Sequence, residues 1–340
     1  MVSEPWPDDL DLSEEPFDEV IGPAELMESG LAPGRFEAWV FSHSIVEAST
    51  AVKGTALKRL LADPRHDKVI FLDPDVAVFG DLSPIAARLE ERPILLTPHD
   101  LTPIRTGDSG GDYLQAIRDH EIILLRHGVY NFGFFAVADQ PEGRRFAEWW
   151  ADRLTHFCID EVSEGLFTDQ RWGDLVPVFF PDTEILTDPG YNVAAWNLIH
   201  RKVSGSVENG LEVNGTPLRF YHFTGFDSGA HTTVNKAYGS SQTAVAPLLD
   251  WYEEACRAEG QETEGRAPFL QTSSRCRSDL PKSVPGCSRS VLQGLVSGSC
   301  RRAVSAGIMM FKRLIARILL SLPGGDRMLS TLRALVRGAP

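Results

Sequence analysis

The chain has 340 residues and a formal net charge of −14, with 43% hydrophobic and 24% charged residues. That is enough chain to bury a substantial core in one large domain or two smaller ones, and no segment approaches the apolar length of a membrane-spanning helix. The charge is unevenly distributed: residues 261–340 carry 13 Lys/Arg against 4 Asp/Glu, a balance of +9, which leaves −23 on residues 1–260. An acidic body argues against nucleic acid as a partner. Met1 leads into an acidic, Pro-containing segment rather than a signal peptide. The five cysteines, Cys158, Cys256, Cys276, Cys287 and Cys300, form no CxxC pair and no zinc spacing, and their odd number argues against a disulfide framework. A reducing cytoplasm is the simplest reading.

In chain order, residues 1–30 are acidic, with one short strand expected at Phe17–Ile21. Residues 35–62 read as helical through Ala48, Val52, Ala56, Leu57, Leu60 and Leu61, and Asp63-Pro64 ends the run. Lys53 lies on this helix; a lone Lys on a helix is usually solvated, but one just upstream of a metal-binding strand could reach a diphosphate. The apolar run Val69–Leu72 reads as a strand buried on both faces. It stops at Asp73-Pro74-Asp75, because Pro74 has no N–H to donate and a fixed φ. Two carboxylates one residue apart at the end of such a strand can hold Mg²⁺ or Mn²⁺; their other reading is a loop pair that caps the following helix.

Ile85–Arg92 reads as a short helix and Pro93–Thr97 as a second buried strand. Pro98–Gly111 is a loop long enough to be functional. A helix starts at Tyr113 and leads to Gly128–Val137, in which Phe134–Val137 is strand-like while Asn131 and Gly133 are poor strand residues; Gly133 marks a close backbone approach. Phe146, Trp149, Trp150 and Leu154 recur at helical spacing within Arg144–Cys158 and read as core. Thr168 is a candidate N-cap that would place Asp169 and Gln170 in a first helical turn. Asp188–Asn197 reads as a turn into an irregular stretch. Leu218–Phe223 reads as a last buried strand, with His222 near its end. The alternation of strands and helices predicts an α/β fold with parallel strand pairs.

Four segments together carry a resemblance. Phe71-Leu-Asp-Pro-Asp-Val76 looks like the DxD motif of the retaining family 8 glycosyltransferases, and Tyr130-Asn-Phe-Gly133 like their N-x-G stretch. Thr168-Asp-Gln170 looks like their D-Q pair, and Tyr221-His-Phe-Thr-Gly225 like their H-F-x-G. Order and approximate spacing agree over residues 17–227. The resemblance implies a GT-A fold, a Rossmann-like, mixed but mainly parallel sheet flanked by helices. It also implies a metal triad of Asp73, Asp75 and His222 that binds Mn²⁺ (or Mg²⁺), and a UDP-sugar donor whose hexosyl group is transferred with retention. It places Lys53 on the diphosphate side and Asn131 and Asp169 at the donor sugar's hydroxyls, with Gly133 and Gly225 also among the substrate-binding residues. Gln170 falls near the anomeric carbon, where it would position and stabilise rather than form a covalent bond.

The chain departs from that pattern in two places. Nothing before Phe17 is apolar enough for the family's opening βα unit, and Phe226-Asp227-Ser228 stands where the family often has K-P-W. An inactive remnant acting as a binding or scaffold protein is therefore the alternative to an enzyme. A nucleotide-sugar pyrophosphorylase lacks its Gly-rich loop here, and a haloacid-dehalogenase-like phosphatase lacks its later Lys and acidic elements. The expected domains are 1–255 as the glycosyltransferase unit, 256–300 as a linker, and 301–340 as a basic amphipathic tail. In that tail Ile308, Phe311, Leu314, Ile315, Ile318 and Leu322 oppose Arg301, Arg302, Lys312, Arg313 and Arg317. Residues 301–322 are thus a candidate contact with an anionic membrane, which suits a peripheral enzyme acting on a glycan or lipid-linked acceptor.

Overall fold

The computed structural model describes residues 19–31, 36–108, 112–226 and 242–259. The linker beyond Glu259 and the basic tail lie outside these residues, as do Phe17 and Asp18 of the expected first strand. The chain divides into two compact units, residues 1–33 with 43–277 and residues 34–42 with 278–340. Of the second unit, a short helix α2 (Phe36–Phe41) is described, in which Phe36 stacks on Trp39.

The first unit is a mixed α/β body. Glu19–Ile21 form no strand; α1 (Pro23–Glu28) follows directly, with Pro at its first position. The helix expected over 35–62 is interrupted at Ser44, which starts α3 (Ile45–Ala62) with a reciprocal capping box. Ser44 Oγ accepts the Glu47 N–H at 3.2 Å and Glu47 Oε2 accepts the Ser44 N–H at 2.7 Å. Two orphan donors are satisfied in this way, so a helix begins here rather than continuing.

The main sheet contains β1 (Lys68–Leu72), β3 (Ile94–Pro98), β4 (Tyr130–Ala138) and β7 (Thr183–Ile185), in the order β1-β4-β3-β7. β4 is antiparallel to both β1 and β3, and β3 is parallel to β7. The expected mainly parallel sheet is therefore corrected. β1, β3 and β7 do run in one direction, but β4 is inserted against them, and β7 was not among the expected strands. β1 is also not buried on both faces. Its residues are half-buried because, among the described residues, it is an edge strand.

Residues 131–138 of β4 are buried throughout. Asn131 and Gly133 lie inside this strand, opposite a register shift between Leu96 and Pro98 of β3. Behind it, α7 (Pro141–Phe157) packs on α3, with Gly54 of α3 against the Trp150–Ala151 backbone. A Cβ on Gly54 would lie 2.8 Å from Ala151 Cα, so glycine sets this helix–helix distance. Phe132, Phe135, Phe146 and Trp150 form the aromatic centre, and Trp150 is 5.0 Å from both Phe132 and Phe135.

A second sheet contains β2 (Val76–Val78), β12 (Phe220–His222) and β8 (Val193–Ala194), with β12 antiparallel to β2 and parallel to β8. Between β8 and β12 runs a meander of β9 (Val203–Ser206), β10 (Gly210–Val213) and β11 (Thr216–Pro217). α9 (Val245–Ala258) contributes Val245 and Leu248 to the same core cluster as this meander. No helix among the described residues is long and apolar enough to cross a membrane.

Candidate metal centre

The chain passes from the first sheet to the second at Asp73-Pro74-Asp75. Pairing of Leu72 with Phe134 brings the Asp73 N–H to Gly133 O at 2.8 Å. Pairing of Val76 with His222, and a 2.8 Å bond from Phe223 N–H to Asp75 O, sets the end of β12 beside Asp75. One ligand atom each from Asp73, Asp75 and His222 lies within 4.8 Å of the others. His222 Nε2 is 3.0 Å from Asp75 Oδ1, and the histidine is 3% exposed. Burial raises the Asp75 carboxyl, but hydrogen bonding and charge from His222 outweigh it and hold the group below the usual range.

Two carboxylates and one imidazole form a donor set suited to Mn²⁺ or Mg²⁺ with sites left over for an oxygen-rich ligand. The residues present fit the ion that the resemblance implies. Gly133 makes the room: a Cβ there would stand 2.2 Å from His222 Cε1.

Lys53 projects from α3 into the same cluster. Its Nζ is 2.9 Å from Asp73 Oδ1, 3.0 Å from Asp169 Oδ2 and 3.1 Å from Phe132 O, so the ammonium sits among three acceptors of the protein. Burial would lower its pKa, but Asp169 and Asp73 more than offset this and keep the ammonium charged. Asp169 moves upward because it is buried and close to Asp73, which Lys53 offsets only in part.

The turn carrying Asp169 is not the expected capped helix. Thr168 has φ of +46°, a costly conformation for a β-branched residue. A 3₁₀ helix begins only at Arg171, so Asp169 and Gln170 precede it. Thr168 Oγ1 bonds Asp169 Oδ1 at 3.1 Å and holds the turn. Gln170 donates from Nε2 to His127 O at 2.9 Å and accepts from Asn131 Nδ2 at 3.4 Å.

Asn131 is the hub of the network. Its Oδ1 is 3.1 Å from Gly133 N, 3.0 Å from Asn192 Nδ2 and 3.2 Å from His222 Nδ1. Its Nδ2 also meets His99 Nε2 at 3.3 Å. His99 Nδ1 lies 3.1 Å from Val129 O, and burial pushes the imidazole down to about 4. Gly225 lies three residues past His222 in a turn, with φ of +78°.

All the residues singled out in the sequence except Gly225 thus have described contacts in this cluster. Three that were not singled out join them. His99 sits just past β3, Asn192 just before β8 at φ +51°, and Trp196 packs edge-on against His222 at 5.4 Å. Asn192 carried a readable signal: an Asn after Asp188-Pro-Gly-Tyr is suited to left-handed backbone.

No protein-family model matches the chain, and no solved structure matches it. It is 26% identical over 197 residues to the uncharacterized protein YfnF of Bacillus subtilis (strain 168), covering 57% of this chain and 61% of that protein. It is 27% identical over 157 residues to the uncharacterized protein YfnD of the same organism, covering 46% of this chain and 45% of that protein. The chain therefore spans less than two thirds of the length of these curated relatives.

Proposed function

We propose that this chain is a metal-dependent glycosyltransferase that moves a hexosyl group from a UDP-sugar to a hydroxyl acceptor, with retention. The observation that carries this reading is the convergence of Asp73, Asp75 and His222 within 4.8 Å at the crossover between two sheets. Asp73, Asp75 and His222 would hold the ion. Bound there, Mn²⁺ or Mg²⁺ supplies positive charge against the departing diphosphate. An acidic body needs such a charge before it can bind a phosphorylated ligand at all.

Lys53 fixes Asp73 and Asp169 relative to each other, and Asp169 and Gln170 stand on the sugar side of that pair. In the reaction the bond from the anomeric carbon to UDP breaks and one to the acceptor oxygen forms on the same face. The acceptor proton leaves with the diphosphate oxygen. A glycan or lipid-linked acceptor, and a cytoplasmic enzyme peripheral to the membrane, are proposed from the sequence of residues 301–322 alone.

The test is titration of UDP into the purified protein with and without Mn²⁺, beside the Asp73→Ala/Asp75→Ala variant. Binding that needs the metal and disappears in the variant supports the reading, and UDP-sugar hydrolysis is then screened. Absence of UDP binding by a folded protein overturns it.

A further inference from the structure

We propose that the exposed face of two short helices, α5 (Tyr113–Asp119) and α6 (Glu121–His127), seats the protein on an anionic lipid surface. The docking stands on these helices themselves; that it serves a lipid-linked acceptor rests on the function proposed above.

Helix α6 reads Glu-Ile-Ile-Leu-Leu-Arg-His; four of its seven residues are Ile or Leu, yet none of the seven is buried. A helix of this composition in a globular unit ordinarily turns an apolar stripe to the core. Here the stripe faces out. Ile122, Leu125 and Arg126 stand at the i, i+3, i+4 spacing of one helical face and all are exposed, Leu125 at 71%. On α5, Leu114 and Arg118 stand one turn apart and are likewise exposed, Leu114 at 61%. The helices meet at His120, whose N–H bonds Ala116 O and whose carbonyl accepts the Leu124 N–H, both at 3.0 Å. The i→i−4 pattern therefore runs through the junction, and the face of α5 continues into that of α6.

The charge on this face selects its occupant. Among the described residues, neither Arg118 nor Arg126 pairs with a carboxylate. The acids of the segment are engaged elsewhere. Asp112 Oδ1 accepts the Leu114 and Gln115 N–H groups, Asp119 accepts from Gln115 Nε2, and Glu121 accepts the Ile104 N–H. The face is thus apolar and cationic, on a chain that carries −23 over residues 1–260. Anionic headgroups answer both features: they pair with the arginines and admit the aliphatic side chains at the acyl boundary. Carboxylates elsewhere repel such a surface only within a Debye length, about 8 Å at physiological salt, so the face nearest the lipid decides the orientation. That face adjoins the candidate metal centre. His127 O accepts from Gln170 Nε2 at 2.9 Å, and Val129 O accepts the His99 N–H at 3.0 Å. Docking through α5 and α6 brings the site to the level where the hydroxyls of a lipid-linked acceptor stand.

The test measures hydrogen exchange of the full-length protein, peptide by peptide, with vesicles of phosphatidylglycerol and phosphatidylcholine and with vesicles of phosphatidylcholine alone. Exchange across residues 113–129 is expected to slow with the anionic vesicles and to change little with the neutral ones. In co-sedimentation, Arg118→Gln/Arg126→Gln is expected to weaken binding to the anionic vesicles about 30-fold, from about fivefold per arginine at such a surface. Leu114→Gln/Leu125→Gln is expected to weaken it by about tenfold or more and to lose the slowed exchange. All four side chains are exposed, so both variants are expected to melt with the wild type. Vesicle binding that slows exchange only outside 113–129, as contact through residues 301–322 alone would, overturns the proposal, and so does a lack of vesicle binding. Slowed exchange in this segment that grows with protein concentration without lipid also overturns it, by assigning the face to a second copy. The readout uses neither UDP nor Mn²⁺, so failure of this face and failure of the transferase reading are seen separately.

Discussion

Lys53, on the long helix α3, holds its ammonium 2.9 Å from the Asp73 carboxylate at the end of β1. The pair joins a helix to the end of the sheet that carries the candidate metal ligands, with Asp169 as the third partner. Lys53→Met leaves two carboxylates close together without their cation. It is expected to cost about 3–5 kcal/mol, the range for breaking a buried pair from one side. Urea unfolding would read this as a lower midpoint, and adding Asp169→Asn should recover part of it. Equal stability of Lys53→Met and wild type would show that the ion pair does not form.

The native protein needs His99 neutral, since protonated Nε2 would confront the Asn131 amide N–H. Its folded pKa of about 4 lies below the ordinary histidine value of 6.5, so between those two values the unfolded chain binds more protons. Stability from this residue is therefore complete above pH 6.5 and lost as pH falls toward 4. His99→Gln keeps a donor and an acceptor but no titration, and its unfolding midpoint should fall less steeply over that window. Parallel pH profiles for the two proteins would sink this account.

Gly133→Ala places a methyl group where His222 Cε1 now sits. The expected result is displacement of the imidazole, a loss of about 1–3 kcal/mol from overpacking, and Mn²⁺ binding weakened by about 10–100-fold. Calorimetric titration of Mn²⁺ together with thermal unfolding checks both parts.

Gly54→Ala tests the fold away from the metal ligands. Alanine favours a helix by about 1 kcal/mol over glycine, yet its Cβ would meet the Ala151 backbone, which cannot rotate aside. A net loss of about 1–3 kcal/mol is expected. A gain in thermal stability would mean that α3 and α7 are not in this close contact.

Some of this was legible in the sequence because the signal was local. An apolar run ending in Asp-Pro-Asp marks where β1 stops, and the spacing of Phe146, Trp150 and Leu154 marks the buried face of α7. Asn209-Gly210 and Asn214-Gly215 also mark turns of the meander, and Asn214 and Gly215 both adopt positive φ, as a two-residue hairpin requires. The direction of β4 was not legible, since an apolar strand reads the same either way. Nor was His99, a lone polar residue at the end of an apolar segment, whose meaning comes from partners distant in sequence. Asn131 and Gly133 read as interruptions of a strand because their fitness depends on His222, which reaches them only through β12.

Because β4 is apolar and buried along both of its faces, no inside–outside pattern tells it which residue of β1 or β3 to face. Sliding it by one position would exchange one buried surface for another while turning Asn131 and Gly133 away from His222. The polar cluster at its start therefore distinguishes the native alignment from its neighbours. The cluster proposed to hold the ion is also the key that registers the sheet, and substitutions there should blur the fold as well as the proposed activity.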